Sequence, residues 1–151
     1  MATWETTTTV RAEPRDVIEV LTDPDAVRRW SPIEFRLEDL PGNRLEPGTI
    51  ARVAGGIAGQ RVGFDIEVIE ADERGLVLRA IGPIEIDVEY LIEALEDVAE
   101  LTASVSVRSA GGLVGRVLSR ATDGLLAAGA LQNAVSRIAR EVEARPYALA
   151  A

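Results

Sequence analysis

Residues 112–144 read GLVGRVLSRATDGLLAAGALQNAVSRIAREVEA, and their spacing decides the fold. Val114, Val117, Leu118, Ala121, Leu125, Ala128, Val135, Ile138 and Val142 recur at threes and fours, the period of an amphipathic helix. Arg116, Arg120, Asp123, Arg137 and Glu141 mark its solvent side. At about 1.5 Å per residue this helix is roughly 50 Å long, so it overhangs a small domain or bends. Gly124 and Gly129 fall in its middle, where each costs about 1 kcal/mol relative to Ala. Slimness there is wanted for packing or for space.

The chain before the helix reads as strands near 49–55, 61–70, 76–81, 84–94 and 99–108. Side-chain parity sets their expected registers. With Ile81-Gly82-Pro83 as a three-residue turn, Ala80 faces Ile84 and Leu78 faces Ile86. With a turn at Glu96-Asp97, Ile92 pairs with Leu101, Tyr90 with Ala103, Val88 with Val105 and Ile86 with Val107. Both hairpins then bury one face, and the other carries a ladder of Arg79 beside Glu85 and Glu85 beside Arg108. Asp72-Glu73-Arg74-Gly75 suits a type I turn with a Gly bulge, which adds Phe64, Ile66 and Val68 to the buried face. The strand near 49–55 stays open: Ala51 with Val53, or Ile50 with Arg52, makes a tolerable inward set.

At the N-terminus, Trp4 to Ala12 reads as a β-branched strand. Pro14 then opens a short helix with Val17, Ile18 and Leu21 on one face, and Thr22 or Asp23 caps a second that starts at Pro24 and ends at Trp30 before Pro32. The expected architecture is α+β: a curved antiparallel sheet of about seven strands, two short N-terminal helices and one long C-terminal helix over the concave face. At 151 residues it fits a single domain, 1–151.

Composition removes several function classes. The net charge of −9 opposes a nucleic-acid surface, which needs clustered cations, and no stretch is apolar enough for membrane insertion. Met1 to Glu5 lacks a secretory pattern, so a cytoplasmic location is expected. All sixteen basic residues are Arg, and His and Cys are absent. A histidine triad, a thiol nucleophile, a Schiff base and ordinary zinc ligation are therefore unavailable. Asp65, Glu67 and Glu70 lie along one strand with mixed faces and read as solvated carboxylates, so no metal and no cofactor is expected.

Val10-x-Ala12-x-Pro14-x-x-Val17, Leu21-Thr22-Asp23-Pro24, Trp30-Ser31-Pro32 and Val68-Ile69-Glu70 followed by Leu76-x-Leu78 together resemble the SRPBCC superfamily, the START-like or helix-grip proteins, over nearly the whole chain. Within it the chain is similar to small bacterial polyketide cyclase/dehydrase-like members. Gly55-Gly56-Ile57-Ala58-Gly59 and Gly111-Gly112-Leu113-Val114-Gly115 also resemble the small accessory-subunit family of carbon monoxide dehydrogenase. The resemblance implies a hydrophobic cavity between sheet and C-terminal helix that takes lipids, polyketides or aromatics. Aromatases of the superfamily use Arg and often His in the pocket, and this chain has no His.

The expected ligand-binding set is Trp30, Phe35, Phe64, Ile66, Leu78, Val88, Tyr90, Ala103, Leu125, Ala128 and Gln132. Each also has a plain structural reading: Trp30 as a helix anchor, Tyr90 as a buried Tyr bonded to backbone, Phe35 and Phe64 as core, Gln132 as a solvated helix flank. Thr6 and Thr8 share parity with Trp4 and add polarity to the pocket or belong to the sheet edge. Tyr90 and Arg52 are the weak catalytic candidates, Arg52 with its facing unresolved.

The expected function is binding of a hydrophobic small molecule by a monomer or homodimer. The alternatives are a polyketide cyclase/aromatase without histidine or metal, or an accessory subunit of a larger enzyme that docks through Val77, Ile81 and Leu91.

Overall fold

A computed structural model describes residues 3–31, 35–40, 42, 44–57, 60–110 and 112–145. Pro32, Ala58, Gly59 and Gly111, which enter the motifs above, lie outside these residues. The order is β1 (Thr3–Val10), α1 (Pro14–Thr22), α2 (Pro24–Trp30), β2 (Phe35–Asp39), β3 (Ile50–Ile57), β4 (Gln60–Asp72), β5 (Gly75–Ile81), β6 (Ile84–Ala94), β7 (Ala99–Ala110), α3 (Gly112–Ala127) and α4 (Ala130–Ala144). The strands form one antiparallel sheet in the order β1-β7-β6-β5-β4-β3-β2. This is the α+β architecture expected, with β2 as the seventh strand.

The two short helices begin as their sequences dictate. Pro14 opens α1, and the Glu13 backbone N–H donates to the Asp16 side chain in a capping box. Asp23 caps α2 by accepting from the Asp25 backbone N–H at 3.0 Å. Val17, Val20 and Leu21 are fully buried under α1, so the helix pair closes one end of the sheet's concave face.

The β6–β7 register is the one expected: Ile92 faces Leu101, Tyr90 faces Ala103, Val88 faces Val105 and Ile86 faces Val107. The β5–β6 register differs by two residues, with Ala80 facing Ile86, Leu78 facing Val88 and Ile81 facing Glu85. A slip of two keeps every side chain on its face, so the buried set is unchanged. The outer ladder does change. Arg79 pairs with Asp87 at 3.0 Å instead of Glu85, and Arg108 reaches Asp87 at 3.2 Å and Glu85 at 4.0 Å. Gly75 closes the β4–β5 hairpin against β6, where a Cβ would lie 2.0 Å from the Tyr90 carbonyl oxygen.

The register of β3 on β4 resolves the open strand. Ala51 faces Ile66 and Val53 faces Phe64 on the buried side, while Ile50 is exposed.

The C-terminal helical stretch covers 112–144 as read, but it bends. Gly129 takes φ 94°, a left-handed conformation open to Gly, and separates α3 from α4. The buried residues of α3 are Gly115, Leu118, Thr122 and Leu126, and those of α4 include Leu131, Val135, Ile138 and Val142. On an unbroken helix of 3.6 residues per turn these two sets would point about half a turn apart. The kink therefore turns α3 over. Val114, Val117 and Leu125, expected inside, are partly in solvent, and Leu113 is 77% exposed.

The two segments are also held differently. Glu141 of α4 takes a bidentate ion pair from Arg29 of α2, Arg145 after α4 pairs with Asp23 at 2.9 Å, Glu143 accepts from the Arg11 backbone at 2.9 Å, and Gln132 bonds Thr6. Among the described residues, α3 has one such polar side-chain link to the rest of the protein, Trp4 Nε1 donating to Asp123 at 3.5 Å, and is otherwise held by apolar packing of Leu118 and Leu126. Among the described residues no helix is long and apolar enough to cross a membrane.

Candidate functional site

A cavity of about 200 Å³ lies between the concave face of the sheet, α2 and α3. Parity and register supply its floor. Phe64 and Ile66 on β4, Leu78 on β5, and Val88 and Tyr90 on β6 all point inward and line it. Trp30 at the end of α2 and Phe35 on β2 form one side. Leu118 seals α3 against the core, so Thr122, Leu125 and Leu126 on the next turns form the roof. Leu125, 39% exposed, stands at the rim with Val27 and Ser31.

Among the described residues the wall carries no charged side chain. It gathers Trp30, Phe35, Phe64 and Tyr90, four of the chain's six aromatic side chains, in a protein that is 4% aromatic. Trp30 and Tyr90 meet edge to face, centroids 5.4 Å apart and planes at 78°, the arrangement favoured by ring quadrupoles. Trp30 Nε1 donates to the Val20 carbonyl at 3.4 Å, which ties the indole to α1. Thr122 is buried and its hydroxyl donates to the Leu118 carbonyl at 2.8 Å. Burial pushes the Tyr90 hydroxyl well above the ordinary tyrosine range. It therefore stays protonated as a donor and is unsuited to act as a base.

Eight of the expected residues line this hollow: Trp30, Phe35, Phe64, Ile66, Leu78, Val88, Tyr90 and Leu125. Three do not. Ala103 is completely buried on β7, where β1 and α4 close over that end of the sheet. Ala128 is turned into solvent at the kink. Gln132 reaches away to Thr6 on β1, so the threonines of that strand serve the junction with α4.

Arg52 is resolved outward, where it bonds Asp65 across the β3–β4 ladder at 2.9 Å, and is no pocket arginine. On the outer sheet face Ile81 and Leu91 are partly exposed and Val77 is half-buried. Among the described residues no group of three or more His, Cys, Asp or Glu stands ready to hold a metal.

Thr122, Leu126, Leu45 and Ser31 are among the wall residues that sequence reasoning missed. The signal for the first two was the 118, 122, 126 spacing of α3, which a single helix phase carried through residue 129 concealed.

No family model and no curated protein matches the sequence. Solved structures do match its fold. A Thermus thermophilus protein superposes with TM-score 0.70 at 13% identity, covering 95% of this chain and 98% of that one. A Chromobacterium violaceum protein gives 0.70 at 16% identity, covering 96% and 100%. The Zhui aromatase/cyclase from a Streptomyces species gives 0.65 at 24% identity, covering 98% and 97%. At these identities the likeness establishes the fold alone.

Proposed function

We propose that this chain, which has the helix-grip fold of the SRPBCC or START-like proteins, binds a small hydrophobic molecule between its sheet and α3. The observation that carries the reading is the wall itself: uncharged among the described residues, and built around most of the aromatic side chains the protein possesses. Apolar cavities of about 150 Å³ stay dry and accept benzene, so about 200 Å³ suits a ligand of one or two rings. Enclosing about 300 Å² of apolar ligand surface contributes roughly 7 kcal/mol at about 25 cal/mol/Å². Lost translational and rotational freedom offsets much of that, leaving affinity near micromolar.

Native mass spectrometry after gentle purification, together with uptake of a neutral fluorescent probe such as Prodan, tests the proposal. A bound species, or probe emission that wild-type protein enhances and a cavity-filled variant does not, is the expected result. Neither appearing would overturn it.

A cyclase reading draws on the fold likeness to the Streptomyces aromatase/cyclase and on the Tyr90 hydroxyl in the wall. Enclosure of a flexible chain lowers a cyclisation barrier by proximity alone. An altered product distribution when the protein is added to a poly-β-ketone would support this reading, and an unchanged one would remove it.

A further inference from the structure

The polar groups of the cavity wall are few, and nearly all are already spent. The Trp30 N–H is given to Val20, the Thr122 O–H to Leu118, and Ser31 at the rim has partners of its own. Tyr90 is different. It lines the cavity, and among the described residues nothing hydrogen-bonds its hydroxyl. Every fully enclosed polar side-chain atom among those residues does have a partner. The Tyr90 hydroxyl is therefore not sealed in packing; it faces the hollow.

A buried donor left without an acceptor is costly, so a molecule filling this space is selected for an oxygen that meets it. A carboxylate would surrender its hydration and receive one O–H in return, with no cation on the wall among the described residues. A carbonyl oxygen accepts the bond and brings no further donor that needs a home. The four aromatic side chains around it favour a planar ring.

Resting on the binding reading above, we infer that the ligand is an uncharged aromatic ketone or quinone of one or two rings whose carbonyl oxygen accepts the Tyr90 hydroxyl. Tyr90 is then the residue that sets specificity. Fatty acids and aromatic carboxylates are excluded in their ionised forms.

The test uses three naphthalenes of similar shape: 2-acetylnaphthalene, 2-ethylnaphthalene and 2-naphthoate. Each is equilibrated at about pH 8 with wild type and Tyr90→Phe, and binding is read by equilibrium dialysis with ultraviolet detection of the naphthalene ring. The substitution removes one unpartnered oxygen, and a melting curve confirms that the fold is kept. The expected result is that Tyr90→Phe weakens the ketone about three- to tenfold and leaves the hydrocarbon within about twofold. The carboxylate binds wild type at least about 100-fold more weakly than the ketone.

Equal effects of the substitution on ketone and hydrocarbon would overturn the assignment of Tyr90 while leaving the cavity reading intact. Carboxylate binding as tight as the ketone's would overturn the claim of neutrality. If none of the three binds wild type while Prodan is taken up, the ketone assignment falls; if Prodan is not taken up and no bound species appears either, the binding reading itself falls.

Discussion

Trp30 and Tyr90 stand edge to face, joining the last residue of α2 to strand β6 of the sheet. The same indole is bonded to the Val20 carbonyl of α1, so one side chain ties both short helices to the cavity wall. Trp30→Ala is expected to lower unfolding free energy by about 3–5 kcal/mol, since it leaves a large void and frees a buried carbonyl. Trp30→Phe keeps a ring but no donor and costs about 1–2 kcal/mol. Urea unfolding of the two variants measures both values.

Val88 faces Leu78 across β5 and β6 beneath the roof of the cavity. Val88→Phe fills free space without adding charge. The expected outcome is loss of probe uptake by at least about tenfold, with stability unchanged or raised by about 1 kcal/mol as the void closes. Unimpaired uptake with a full-size phenyl in place would mean that the probe binds elsewhere. A fluorescence titration and a melting curve give both answers.

Gly129 occupies the left-handed region at φ 94°, where a Cβ is strained. Gly129→Ala is expected to destabilise by about 1–2 kcal/mol. Nothing lies within 4 Å of the added Cβ, so the cost is backbone strain and not collision. Gly124 also has open space around it but sits inside a regular helix, so Gly124→Ala is expected to stabilise by about 1 kcal/mol. Opposite signs from the same substitution five residues apart are read directly from paired denaturation curves.

Asp23 and Glu141 hold α4 to α2 through arginines. Burial would raise the Asp23 carboxyl, but the Arg145 guanidinium and the Asp25 N–H outweigh it and hold the group below its ordinary value. The hydrogen bond from Arg29 lowers Glu141 in the same way. Both groups are depressed in the folded state, so their contribution is fully present above the unfolded carboxylate values and is lost as pH falls through the lower folded ones. Stability should hold down to about pH 5 and fall below about pH 4. Glu141→Gln should remove about 0.5–1 kcal/mol at neutral pH and flatten the acid limb. Melting temperature against pH for both proteins checks the sign.

The sheet was legible because alternation is a strong code. Apolar side chains at every second position of β6 and β7 fixed all four expected pairs, and the short turn at Glu96-Asp97 left no competing register. Between β5 and β6 the same code fails in a specific way. Parity is blind to a slip of two, so Leu78 and Ala80 kept their face while Arg79 exchanged one acidic neighbour for another.

The helix was harder for a related reason. Periodicity fixes a face only while the helix is continuous, and a reading carried through Gly129 assigned Val114 and Val117 inward and passed over Thr122. Tyr90 was placed in the pocket by parity. That no described residue would hydrogen-bond its hydroxyl is a property of the folded wall, which no spacing rule announces.

The turn at residue 129 divides labour along the chain. What comes after it carries the clamps that secure the protein's architecture, and what comes before it carries the ceiling over the hollow. Changes to Thr122, Leu125 or Leu126 can therefore retune which molecule fits while leaving the clamps untouched, so fit and robustness are inherited through separate stretches of sequence.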